Sequence, residues 1–267
     1  MVFVVKNAPD VQRDPQVATY EQPLNERMRT FLRLEFLYQQ LEHHVEDDSD
    51  IATRRAVDGL LEIGAILTRG DVRSEVLKEL ERQADVLKGF AANPSVDHSR
   101  VDALIRELEQ TRDAINAIGP HYLQPLKDSE FLSAIKHRSA IPGGTCEFDL
   151  PLFSHWLRAS YERRRANLDV WLNDLRPLCE GVKHIMWLIR QSAVPTPYTA
   201  SAGMYQYSID KQTNCRMLRV TIRNQHDMFP EISGSPQRFT IRFLNCSDIN
   251  ERPVQTVDDV PFELSIC

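Results

Sequence analysis

The chain has 267 residues, 42% hydrophobic and 26% charged, with a formal net charge of −6 at pH 7. This is the composition of a soluble globular protein, long enough for a sizeable core in one large domain or two modest ones. The acidic balance argues against bulk nucleic-acid binding. No apolar run approaches the ~20 residues a membrane helix needs, and the short apolar opening lacks the basic flank of a signal peptide. Five cysteines (Cys146, Cys179, Cys215, Cys246, Cys267) are scattered and never spaced as CxxC. They read as reduced thiols in a cytosol, neither a disulfide framework nor a zinc site.

Residues 1–18 are rich in proline and polar groups and read as a flexible lead-in. Thr19–Gln22 reads as a short strand before Pro23. Asn25 is a good N-cap for a helix running to about His44, whose apolar residues cover more than one face, as in a helix buried between layers or at a subunit interface. A second helix follows the acidic Glu46–Asp48 loop and runs to Arg69, with Gly70 placed to end it. Leu77, Leu80, Ala84, Leu87 and Ala91, then Val101, Leu104, Leu108, Thr111, Ile115 and Ile118, recur at three-four spacing on either side of the Asn93-Pro94-Ser95 turn. Such narrow stripes are the seam of an antiparallel helical hairpin. Spacing alone leaves open whether it stands off as an arm or belongs to an ordinary bundle.

A short helix over Phe131–Arg138 ends at Ile141-Pro142-Gly143-Gly144. Residues 145–148 read as a strand, and Asp149 as the cap of a helix entered at Pro151. Leu168, Trp171, Leu175, Leu178, Val182, Ile185 and Ile189 keep helical spacing, and Pro177 should interrupt them near Leu175. Beyond Ala193 the pattern changes to strands, at about Met204–Ile209, Met217–Arg223, Arg238–Leu244 and Phe262–Ile266. The fold class is α+β: a largely α-helical domain over 19–194 with a helical hairpin, and a small, mostly antiparallel β-sheet domain over 195–267. The strands near 19–22 and 145–148 are candidates to join the sheet.

Two strands alternate strictly. Leu218, Val220 and Ile222 oppose Arg219, Thr221 and Arg223, while Phe239, Ile241 and Phe243 oppose Arg238, Thr240 and Arg242. Period two marks half-buried strands with one wet face. From Lys211 to Leu244 the local charge is +4 on a chain of −6. Such a face suits docking, although arginine on a solvated strand is also ordinary.

Recognisable chemistry is missing. Pro142-Gly143-Gly144 lacks the lysine and spacing of a phosphate loop, and no HExxH, CxxC or GxSxG appears. His43-His44 sits among acids without a second metal motif, and Cys146 precedes His155 and His184 without a catalytic signature. Arg163-Arg164-Arg165 reads as a solvated helix face. The residues point to no catalytic, cofactor or metal site.

Five segments together resemble one family: Tyr20–Leu37, Arg69–Leu80, Ile141–Pro151, Ile189–Ala193 and Arg238–Phe243. On these the chain is similar to the ZapD family of Z-ring-associated cell division proteins. The likeness runs from about Tyr20 to the C-terminus and departs before Tyr20, over Thr196–Lys211 and over Cys246–Asp259. It implies a non-enzymatic, cytoplasmic homodimer without cofactors, acting at the mid-cell division site. The implied partner is FtsZ, engaged through its C-terminal tail, so that a dimer bundles filaments; nucleic acid and membrane insertion are not implied. A partly acidic tail would need a basic surface. The candidates are Arg238 and Arg242, then Arg219 and Arg223, with Arg29, Arg69, Arg73 and Arg138 from the helical part bordering the same groove if the β part packs there. For each, a surface salt bridge or simple solvation is the competing role. An unrecognised enzyme or small-ligand binder with a pocket near Gly143-Gly144 is the alternative.

Overall fold

Helices begin where the sequence supplies an oxygen to receive the first free N–H groups. Asn25 Oδ1 accepts from Met28 N at 2.9 Å. Ser49, Asp97, Ser129 and Ser160 accept in the same way at four later starts. The computed structural model describes residues 17–90, 96–210, 215–223, 227–235 and 237–267. In chain order it contains β1 (Val17–Pro23), α1 (Glu26–Val45), α2 (Asp50–Thr68), α3 (Val72–Phe90), α4 (His98–Ala117), α5 (Gln124–Lys127), α6 (Glu130–Ser139), α7 (Pro151–Leu157), α8 (Tyr161–Leu172) and α9 (Arg176–Gln191). Then come β2 (Thr196–Ala200), β3 (Met204–Ser208), β4 (Met217–Arg223), β5 (Met228–Ser235), β6 (Arg238–Asn245), β7 (Val254–Gln255) and β8 (Val260–Ile266). The expected lead-in up to residue 16, the Asn93–Ser95 turn and Lys211 lie outside the described residues. The described chain forms two compact units, one of residues 31–186 and one of 17–30 with 187–267.

In the helical unit, α3 and α4 pair as the expected hairpin. Val76, Leu80, Ala84 and Leu87 face Val101, Leu108 and Ile115 in a buried seam. The seam is not wholly apolar, because Glu79 is only 1% exposed and takes hydrogen bonds from Arg82 at 2.5 Å and Gln83 at 3.1 Å. Arg73 crosses the hairpin, donating to Ile115 O and Asn116 Oδ1, both at 3.2 Å. Near the tip Lys88 pairs with Glu109 at 3.1 Å. Gly181 of α9 seats that helix against the hairpin: a Cβ there would lie 3.1 Å from Ile115 Cδ1 and 3.2 Å from Val76 Cγ1. The hairpin is thus packed on the bundle at this level.

Three local expectations are overturned here. Residues 145–148 form turns, not a strand. Asp149 does not cap α7, which starts on Leu150 and Pro151 without a side-chain cap; its carboxylate pairs with Arg138 at 3.3 Å and accepts from Cys146 Sγ at 3.4 Å. Arg164 and Arg165 are not solvated: Arg164 is buried against Asp50 at 2.6 Å and the Asp48 carbonyl, and Arg165 reaches Glu46 at 2.9 Å. These contacts clamp the acidic loop between α1 and α2, from partners more than a hundred residues away. Pro177 does break the pattern, as the second residue of α9, where its missing N–H would have had no partner in any case.

The β unit is two antiparallel sheets, in the orders β1-β4-β8-β2 and β3-β6-β5, with β7 beside β6. The alternation already described sends Leu218, Val220 and Ile222 of β4 toward Phe239, Ile241 and Phe243 of β6, and Val260, Phe262 and Leu264 of β8 complete the same core. Strands β2 and β5 lacked a strand signal because each carries proline, at Pro197 and Pro230. Both lie at ends of their strand orders, where a missing N–H is tolerated. Strand β1 joins β4 over seven paired residues. On the outer face of that pair Glu21 accepts from Arg219 at 2.9 Å and from Arg190, at the end of α9 and in this same unit, at 2.8 Å.

Burial pushes the Glu21 carboxyl up, but the hydrogen bonds and charges of Arg190 and Arg219 outweigh it and hold the group below its usual 4.5. A depressed carboxyl adds stability above its unfolded value and loses it as pH falls through the native one. Glu21→Gln should therefore unfold about 1–3 kcal/mol more easily at pH 7. In urea titrations that gap should close as the pH is taken down from 4.5. Gly181→Leu, which forces a side chain into the α9 contact, should cost about 1–3 kcal/mol or more by the same measurement; an unchanged midpoint would show that α9 and the hairpin do not touch as described.

Candidate docking surfaces

On the outer face of β3-β6-β5, the register places Arg242 between Met204 and Glu231, Thr240 between Gln206 and Ser233, and Arg238 between Ser208 and Ser235. Arg242 is ion-paired with Glu231 across the ladder. Arg238 is exposed and makes no ion pair among the described residues; its flanking residues are two serines. The alternation that buries Phe239, Ile241 and Phe243 is what turns both arginines outward. An exposed guanidinium with hydroxyl neighbours offers bidentate recognition of a carboxylate.

The β4 arginines differ. Arg219 is 26% exposed and held by Glu21, so its charge is already matched within the fold. Arg223, at the strand end, is 59% exposed and only loosely paired with Glu263 at 3.4 Å. It borders a shallow recess of about 490 Å³ with Thr221, Thr199 and Pro261. Arg29 pairs with Glu26 one turn before it, at 2.6 Å.

In the helical unit, Arg69 is the exposed C-cap of α2. It lines a recess of about 320 Å³ between α1 and α2 with Arg33, Phe36, Leu37, Glu62, Ala65 and Ile66. Phe36 is 59% exposed there, an aromatic ring in a groove that also holds two guanidinium groups. Sequence reasoning missed Arg33 and this role of Phe36. The signal was present as matching helical spacings, 33, 36 and 37 on one helix and 62, 65, 66 and 69 on the other. Arg73 is turned into the hairpin clamp, and Arg138 is tied to Asp149. Within the helical unit the candidates are therefore separated in role, with Arg69 beside an open groove and Arg73 spent on packing.

Other chemistry is sparse. No group of three or more His, Cys, Asp and Glu side chains is placed to hold a metal ion among the described residues. All five cysteines are free. Gly143 takes φ +72°, and Gly144 is folded so closely onto the Arg138 carbonyl that a Cβ would collide with it. These glycines make a tight turn after α6, and the loop is filled by its own backbone. No helix among the described residues is long and apolar enough to cross a membrane.

Comparison with known proteins identifies the lineage. The sequence profile of ZapD, described as a cell division protein, matches residues 32–242. A cell division protein ZapD of Methylococcus capsulatus is 40% identical over 248 residues, covering 93% of this chain and 97% of the relative. Those of Aromatoleum aromaticum and Enterobacter sp. are 35% and 37% identical over 255 and 251 residues, covering 96% and 93% of this chain and 99% and 98% of the relatives. With near full-length likeness of this kind and an α+β fold of helices and antiparallel sheets, the chain belongs to the ZapD family of cell division proteins.

Proposed function

We propose that this protein binds the C-terminal tail of FtsZ and, as a homodimer, cross-links and bundles FtsZ filaments, acting as a non-enzymatic factor in the cytoplasm at the division site. The observation that carries this reading is Arg238, an exposed cation without an ion-pair partner among the described residues, on a chain of net charge −6. Arg223, only loosely paired, adds to the basic character of the β unit, and the groove of the helical unit sets Arg33 and Arg69 around the exposed Phe36, with Glu62 as its one acid. The acidic part of a tail suits the β face, and a partly acidic, partly apolar tail suits the groove.

Magnitudes make the dimer necessary to the reading. An exposed Arg–carboxylate contact contributes only about 0.2–1 kcal/mol. A few such contacts with one apolar anchor give single-tail binding near ~10 μM or weaker. Two sites per dimer, facing a filament that displays many tails, raise the effective strength by avidity without any new contact.

Sedimentation of polymerised FtsZ provides the test. The protein should co-pellet and bundle filaments of full-length FtsZ but not of FtsZ lacking its tail, and should sediment alone at about twice its 30.8 kDa chain mass. Co-pelleting should weaken with added salt. The double variant Arg238→Glu/Arg242→Glu should lose most binding while its sedimentation alone is unchanged. Equal pelleting with tailless filaments would overturn the tail as ligand, and a monomer that still bundles would overturn the cross-linking dimer.

A further inference from the structure

Arg238 and Arg242 share one face of β6 but not one chemical state. The ladder sets Glu231 of β5 directly opposite Arg242, whereas Ser235 stands opposite Arg238. Side chains paired in this way lie on the same side of a sheet, and here that side is solvent, because Phe239, Ile241 and Phe243 are buried on the other. Arg242 Nη2 donates to Glu231 Oε2, and the two side chains remain 48% and 50% exposed. On its other flank Arg242 has Met204, and Arg238 has Ser208. No second acid therefore stands opposite either arginine. One guanidinium of the face is matched at rest, and the other makes no ion pair among the described residues.

From this we infer that Glu231 is an internal competitor for the acidic ligand of this face. With no partner present, its carboxylate takes the place on Arg242 that a ligand carboxylate would take. An incoming acid meets Arg238 first and reaches Arg242 only by displacing Glu231. The exchange is feasible because the pair is half exposed, and ion pairs of that kind are weak and screened by water. The ligand gains a contact of the same kind as the one it breaks, so Arg242 adds less to binding than an unmatched arginine would. The displaced carboxylate also stays beside the ligand and repels it. Glu231 thus weakens the hold on any acidic partner, and most on one whose acids span both arginines, which lie four residues or about 13 Å apart along β6. This inference rests on the tail-binding reading and names the residue that limits its strength.

The test measures binding of a fluorescent FtsZ tail peptide to the full-length protein, to Glu231→Gln, to Arg242→Gln and to the double variant, across a series of salt concentrations. Glu231→Gln should tighten binding about two- to five-fold. Its Kd should also depend more steeply on salt, because the ligand then meets a second unmatched cation. In the Arg242→Gln background the same change should shift Kd by less than about 1.5-fold, since only the repulsion between carboxylates is left to remove. Weaker binding by Glu231→Gln would mean that the acid positions Arg242 for the ligand, and an unchanged Kd that the pair serves the ladder alone. Equal tightening in both backgrounds would mean that Glu231 acts as a diffuse charge and not through Arg242. Each of these three results overturns the competitor and leaves tail binding standing. A peptide that binds none of the proteins overturns both.

Discussion

Glu21 holds together a ladder whose two strands lie 198 residues apart in the chain, measured from Glu21 to Arg219. Without that closure β4 would have β8 alone beside it, and the outer side of its sheet would expose Arg190 and Arg219 to one another. The carboxylate sits between the two guanidinium groups and is itself mostly withdrawn from water. Such a group tolerates burial because both cations are present, and each cation tolerates the other because the acid is between them. The cross-strand Thr19–Thr221 hydroxyl contact at 2.9 Å continues the match along the same face.

Arginine does two jobs in this molecule, and the distinction is one of partners. Arg164 and Arg73 reach backbone carbonyls and side chains far away in sequence and are consumed in holding loops and helices. Arg219 is matched in the same way. Arg238, Arg223 and Arg69 keep most of their charge available at the surface. On a chain with an overall acidic balance, these few positions stand out as local positive sites, and their field, not the net charge, would select a negatively charged partner.

The parts of the fold that were legible are those whose signal is local. Alternation in β4 and β6 survives because each is paired on both sides and buried on one face, so every second residue must be apolar. Asn25 could be recognised as a cap because capping involves a residue and its near neighbours. Strands β2 and β5 were illegible because the sheet rim tolerates proline, which reads as a breaker. The turns at 145–148 looked like a strand because the residue types fit one, while the tight Gly143–Gly144 turn beside them decides otherwise. Among the candidate residues, alternation correctly turned Arg238 and Arg242 outward. It could not separate Arg219 from them, since Glu21 is distant in sequence, nor assign Arg73 to the hairpin, since its acceptors lie on another helix.

The distance between β1 and β4 also has a meaning in time. A ribosome adds roughly 5–20 residues per second, so β1 is made roughly 10–40 seconds before the strand that pairs with it. During that interval the helical unit between them, rich in near-neighbour contacts, can form, whereas β1 must wait with its backbone groups bonded only to water. The β unit is therefore completed after the helices, and among the described strands β1 is the one a nascent-chain chaperone would find unpaired for longest.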